Sequence, residues 1–407
     1  VSRSKASRAQ ENMYFVPAAS GRARGQYNTC VACRIDRPVS RADLVRRVSE
    51  VVSAHPMLGS GFFLEEDGLH TASLGIDYED CVQIISDWRE VKWDCEFDPE
   101  TPPLFRIYII DELVVGEGVY LIFVVDHILV DAIAATMFMQ SIVSGLPGMT
   151  KGPGPLYTPY GEYVAEEMGY LGSDEYAQDA EYWRGPLTTY NKLDLPVLRS
   201  DNGAPDASDC AVWMLSEEED QGLHRYARRL SIPPAVCYLG VIFKALAESL
   251  KAKDVAVLLA YANRPSLVSA SALGITLNSL LLPVEDVGAR SLDEVVESLE
   301  VAFFSAMERG RFPISDAKQM AARPLPDIVV NILPSNTTDL KDFAGDYKEF
   351  PFFDDKPKNA MTIYVYPEPC ASIRVVASGL DDFSIIQSLL DSVKKFVHQL
   401  GAERIPS

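Results

Sequence analysis

Along the chain, short apolar runs alternate with longer segments whose apolar residues recur at helical spacing. "YNTCVACRI", residues 27–35, reads as a strand. "SRADLVRRVSEVVSAH" follows as a helix: Leu44, Val45, Val48, Val51 and Val52 share a face, Ser40 supplies the N-cap and Pro56 the stop. "SGFFLEE" and "GLHTASL" read as short strands, then "PLFRIYIID" and "GVYLIFVVD" as two stronger ones separated by a short acidic turn. "VDAIAATMFMQSIVSG" reads as a helix that ends at glycine.

From residue 145 the composition changes to glycine and proline in "GLPGMTKGPGPLYTP", which marks a crossing or linker. A helix around Trp183 and a polar loop, "RSDNGAPDASD", come next. A second alternating set then begins, with helices expected over 216–230, 233–250, 291–309 and 381–399. Its strands are "DVAVLLAY", "LNSLLLPV", "PDIVVNIL", "AMTIYVYP" and "SIRVVASG". No short fixed-period repeat is present. At 407 residues the chain exceeds the size at which one core usually stops growing. The expectation is two α/β lobes: an N-terminal lobe over 1–160, a linker or crossover over 161–205 and a C-terminal lobe over 206–407.

Charge narrows the partners. A net charge of −21 disfavours nucleic acid and anionic membranes, because phosphate binding needs a basic surface. No apolar run reaches the roughly 18 to 20 residues of a bilayer span, and "VSRSKASRAQ" lacks the apolar core of a signal peptide, so a cytoplasmic protein is expected. Seven cysteines, an odd number spread through a long chain, point to reduced thiols. Cys30 and Cys33 form a CxxC inside a strand pattern, with no second pair to complete a metal site. Neither HExxH nor a glycine-rich phosphate loop occurs, so no metal and no nucleotide fold is expected.

One histidine stands apart from the other four. His127 sits directly behind the most strand-like run of the first half, where a helix pattern is about to begin, and Asp131 follows four residues later. A histidine at such a strand–loop–helix junction can bond one ring nitrogen to backbone and turn the other to a substrate, as a general base near neutral pH requires. Asp131, in the first helical turn, suits a structural role: a carboxylate that anchors the loop through an arginine from elsewhere. With no nucleophile beside His127 in sequence, direct proton abstraction fits better than a covalent relay. His55, at a helix end, reads as a helix-dipole partner. His70, His224 and His398 receive no chemistry, and the basic face of Arg225, Arg228 and Arg229 reads as a solvated helix surface.

"DHILVDA" resembles the HxxxD signature of the superfamily that includes chloramphenicol acetyltransferase, plant BAHD acyltransferases, fungal and yeast alcohol O-acetyltransferases and the condensation domains of nonribosomal peptide synthetases. "HPMLGSGF" and "TPPLFRIYII" lie before it, and "YANRPSL", "LGITLNSLLLPV", "RFPISDAKQ", "DIVVNIL" and "NAMTIYVYPE" after it, in the order seen in condensation domains and alcohol acetyltransferases. The resemblance implies two chloramphenicol-acetyltransferase-like lobes, each a mixed sheet with flanking helices, and a tunnel at their interface. His127 would be the base, and Arg264 the second-lobe arginine that pairs with Asp131. Asp126, Ala132 and Asn278 match positions at the tunnel. Asp126 replaces the first histidine of the family's HHxxxDG form, Ala132 replaces its glycine, Gly59 stands where many condensation domains have arginine, and the DFGWG of the plant enzymes is missing.

The leading expectation is therefore an O-acyltransferase that moves an acyl group, acetyl by default, from acyl-CoA to a small alcohol or amine without a bound cofactor. The first alternative is a condensation or release enzyme whose donor is an acyl-phosphopantetheine carrier protein. The second is a non-acylating member of the fold. Two lobes in one chain remove the need for a trimer.

Overall fold

The structure, a computed structural model, describes residues 3–35, 39–76, 81–111, 119–146, 157–195, 208–333, 347–350, 358–367, 371–380, 382 and 384–402. Most of the glycine- and proline-rich stretch and of the polar loop before residue 208 lies outside them. In chain order the first elements are β1 (Ser4–Lys5), α1 (Arg8–Ser20), β2 (Thr29–Ile35), α2 (Arg41–Ala54), β3 (Ser60–Glu65), β4 (Gly68–Ser73), β5 (Val82–Ile85), β6 (Phe105–Asp111), β7 (Val119–Val125), α3 (Ala132–Ser144) and α4 (Tyr160–Leu171). Next come α5 (Asp174–Thr189), β8 (Ser208–Met214), α6 (Glu217–Leu230), α7 (Pro234–Ser249), β9 (Val255–Tyr261), α8 (Leu267–Ser271), β10 (Asn278–Val284), α9 (Leu292–Glu308) and α10 (Ile314–Met320). The chain closes with β11 (Ile328–Ile332), β12 (Tyr347–Phe350), β13 (Met361–Tyr366), β14 (Ser372–Ser378) and α11 (Ser384–Ala402). Every strand and helix expected from the apolar pattern is present.

The elements assemble into two compact units, Val1–Ser173 with Ala262–Leu277 and Asn336–Asp354, and Asp174–Tyr261 with Asn278–Ser335 and Asp355–Ser407. In the first, a five-stranded mixed sheet runs in the order β12-β2-β7-β6-β5 beside a three-stranded sheet, β1-β4-β3. Strand β7 reads as unbroken apolar sequence because both its faces are covered. Leu121, Phe123 and Val125 enter the main core with Phe138 of α3, whereas Ile122 and Val124 join Ala32, Tyr108 and Ile110 on the other side. The same alternation separates the CxxC pair: Cys33 packs in the first cluster and Cys30 against the second. The second unit is a six-stranded mixed sheet, β10-β9-β11-β13-β14-β8, covered by helices that include α7, α9 and α11. Among the described residues no single helix is long and apolar enough to cross a membrane.

These units differ from the expected division at residues 160 and 206. Helix α4, assigned to the linker, belongs to the first unit, and α5 to the second. Residues 262–277, expected within the C-terminal lobe, join the first unit, because Leu273 and Ile275 are buried in its core. Arg264 therefore reaches Asp131 inside one unit.

Candidate active site

Two aspartates hold the loop that follows β7. The Asp126 amide still pairs with Leu104 O at 2.9 Å, and the chain then turns as Leu129 N donates to Asp126 O at 3.0 Å. Asp126 Oδ1 accepts from Ile128 N at 2.9 Å, an aspartate turn that tightens the same corner. At the far end Asp131 is the N-cap of α3, its Oδ1 accepting from Ala134 N at 2.8 Å. His127, half-buried, projects from the loop, and its Nδ1 lies 2.8 Å from Val130 O. A carbonyl oxygen only accepts, so Nδ1 carries the hydrogen, and in the neutral form of the ring Nε2 is the basic nitrogen.

Asp131 is 3% exposed and is held from several directions. Arg264 Nη2 donates to Oδ1 and Oδ2 at 2.9 and 3.0 Å, and Thr276 N donates to Oδ2 at 3.0 Å. The Thr276 hydroxyl lies 3.2 Å from the same oxygen and 2.7 Å from Ala262 O. Arg264 also donates through Nη1 to Ser269 O and Ala272 O and through Nη2 to Gly274 O. One guanidinium thus ties the N-terminus of α3 to the 262–277 segment. Such a charge-assisted network in a buried setting is rigid, and it fixes the far end of the loop from which His127 projects.

Two residues expected to line a substrate tunnel have other surroundings. Asp126 is 1% exposed and its carboxylate faces Arg24 Nη1 at 3.1 and 3.4 Å. Burial raises its pKa, while the Arg24 charge and the Ile128 amide pull the other way. Arg24 in turn donates to Tyr14 O. In place of a second histidine, this chain has an ion pair that braces the corner. Asn278 is also enclosed: Nδ2 donates to Gly310 O and Phe312 O at 2.8 and 2.7 Å, and Oδ1 accepts from Ile314 N at 3.0 Å. Both polar atoms of its side chain are engaged in clamping the turn between α9 and α10. Ala132 is exposed at the first position of α3.

The remaining histidines are not as isolated as their sequence neighbourhoods implied. His70 lies near Glu65 and Asp67, His224 lies 3.7 Å from Asp220, and His398 contacts Glu219 at 2.6 Å. Asp67 and Asp220 stand three and four positions before their histidines, a spacing that could have been read. His55 ends α2 with its ring edge-on to Tyr157, and burial pulls its pKa below the usual value, which disfavours the charged dipole partner expected. Arg225, Arg228 and Arg229 are exposed on α6, where Arg229 faces Asp293. Sequence reasoning passed over Arg24 and Thr276, which have no motif, and also Ser7, whose capping box with Gln10 was legible in "SRAQ".

A family model described as the condensation domain matches residues 3–368. The chain belongs to the condensation-domain family. This condensation domain is 23% identical over 336 residues to malpinin synthetase of Mortierella alpina, covering 78% of this chain and 4% of that protein. It is likewise 23% identical over 331 residues to a plipastatin synthase of Bacillus subtilis, covering 76% of this chain and 9% of that one. The condensation domain thus spans less than a tenth of the length of these curated relatives. Its fold is that of solved condensation domains. The one from the monacolin K polyketide synthase superposes with a TM-score of 0.82 at 14% identity, covering 99% of this chain and 98% of that one. The first condensation domain of the calcium-dependent antibiotic synthetase gives 0.79 at 19%, covering 100% and 98%. Among the families the sequence resembled, membership in the condensation domains is shown.

Proposed function

We propose that this chain catalyses carrier-dependent condensation: an amine or hydroxyl attacks the thioester carbonyl of an acyl group tethered to a carrier protein's phosphopantetheine. A C–N or C–O bond forms, the C–S bond breaks and the thiol leaves. His127 Nε2 takes the proton from the attacking nucleophile, while Val130 O keeps the ring from turning. The observation that carries the reading is this fixed Nδ1–H tautomer on a loop anchored by Asp131 and Arg264, in a chain of the condensation family. It reverses the order of donors expected from sequence, where free acyl-CoA came first. Acyl-CoA stays as a second reading because the starter condensation domain of rhizomide synthetase, which has the same fold at 16% identity, was solved with C8-CoA. Hydroxyl acceptors are retained because a Streptomyces globisporus protein of this fold was solved with a naphthyl ethanediol.

The test is single-turnover transfer, followed by mass spectrometry, from acyl-loaded carrier proteins and from matched acyl-CoAs into a pool of amines and alcohols. Transfer from the carrier is expected to fall roughly 10²- to 10⁴-fold in His127→Ala, the usual range for losing a general base. Equal transfer by the variant would remove His127 from the chemistry, and transfer from acyl-CoA alone would overturn the carrier-dependent reading.

A further inference from the structure

Gly274, Ile275 and Thr276 form a strip that backs the histidine loop. Ile275 N donates to Leu129 O at 3.1 Å, and Thr276 N donates to Asp131 Oδ2 at 3.0 Å, so the strip holds the loop at two points on either side of Val130. The strip is itself held. Ile275 O accepts from the Tyr160 hydroxyl at 2.5 Å. Because that carbonyl can only accept, the tyrosine proton is committed to it, and the 2.7 Å contact between Tyr160 and Ser7 Oγ is donated by the serine. Ser7 is the N-cap of α1, where its Oγ accepts from Gln10 N at 3.1 Å, so the tyrosine joins two helix starts to the strip. The fit is close: a Cβ added at Gly274 would come within 2.0 Å of the Tyr160 ring. Tyr160 is 4% exposed.

We propose that Tyr160 is a positioning residue for His127, acting through Ile275 and Leu129. Its hydroxyl fixes the Ile275 carbonyl, the Ile275 amide fixes Leu129, and the loop so held keeps Val130 O at bonding distance from His127 Nδ1. Neither Tyr160 nor Ser7 touches the imidazole in this chain of contacts. The hydroxyl is needed because Ile275 O lies in a buried setting where losing its donor would let the strip shift toward another partner.

Tyr160→Phe keeps the ring on Gly274 and removes only the hydroxyl. Tyr163→Phe is the matched control, because Tyr163 is buried on the same helix and sends its hydroxyl to Glu167. Two readouts are compared. The first is the ¹⁵N spectrum of histidine-labelled protein, with the His127 signals assigned through His127→Ala. The wild type and Tyr163→Phe should show the Nδ1–H tautomer, and Tyr160→Phe a tautomer average. The second is transfer kinetics: Tyr160→Phe should lower kcat about tenfold at unchanged KM, the equivalent of one net hydrogen bond, and Tyr163→Phe should leave kcat unchanged.

The kinetic readout rests on the condensation reading, whereas the spectrum does not. A tautomer change specific to Tyr160→Phe, in a protein that transfers no acyl group, would refute that reaction and support the positioning role. Wild-type tautomer and kcat in Tyr160→Phe, or equal changes in the two phenylalanine variants, would overturn the proposal.

Discussion

Arg264→Met tests the buried network most severely. The side chains of Arg264 and Asp131 are 7% and 4% exposed, so the substitution strands a carboxylate that keeps only Ala134 N and Thr276 N as backbone donors. It also takes a donor from each of three carbonyls, those of Ser269, Ala272 and Gly274. Breaking one side of a buried ion pair typically costs about 3–5 kcal/mol, and the deprived carbonyls place this case in the upper half of that range. With a urea slope of up to about 3 kcal/mol per molar, the midpoint should fall by roughly 1.5 M or more. The double variant Asp131→Asn with Arg264→Met carries no lone charge. It should therefore be more stable than Arg264→Met alone by about 1 kcal/mol or more, a coupling of the size seen for residues in contact. Urea unfolding of the wild type, both single variants and the double variant completes the cycle. A single-variant loss under about 1 kcal/mol, or simple additivity in the double variant, would refute the reasoning.

Two further substitutions probe other parts of the molecule. Asn278→Ala leaves Gly310 O, Phe312 O and Ile314 N without their side-chain partner and should destabilise the second unit by about 2–3 kcal/mol in the same unfolding assay. Glu167, which accepts from Arg8 N at the start of α1, has its pKa raised by burial from an ordinary 4.5 to about 7. Its contribution to stability is fully present below pH 4.5 and is lost as pH rises through about 7, since the unfolded chain ionises first. Glu167→Gln should remove this slope, gaining on the wild type by up to about 2 kcal/mol between pH 5 and pH 8. Unfolding free energies measured across that interval with no difference in slope would refute it.

The parts of the fold legible from the chain were those written in local pattern. Strand β7 and helix α3 have an apolar run and a capping aspartate within a few residues of each other, and that proximity made His127 visible. What stayed hidden depends on residues far apart in sequence. The pairing of Asp126 with Arg24 spans 102 positions, and nothing in "GRARGQY" marks that arginine. Asn278 was read through its resemblance to a tunnel position, yet its amide is occupied by turn backbone more than thirty residues downstream. The excursion of residues 262–277 into the first unit has no composition change at either end, because its anchors are a buried arginine and two apolar side chains rather than a linker. Helix α4 was missed although Pro159 precedes it, since a glycine- and proline-rich tract looked like continuous linker.

Arg264 is separated from Asp131 by 133 residues, and that separation orders events during synthesis. At roughly 5–20 residues per second the ribosome needs on the order of ten seconds between the two. Throughout that interval the nascent first unit has β7 and the start of α3 but no guanidinium for the capping carboxylate. The loop that carries His127 therefore cannot gain this anchor when its own helix emerges; it waits until the chain has passed through residues 174–261, which belong to the other unit. A polypeptide released before residue 264 would hold His127 on a loop that lacks its Arg264 anchor.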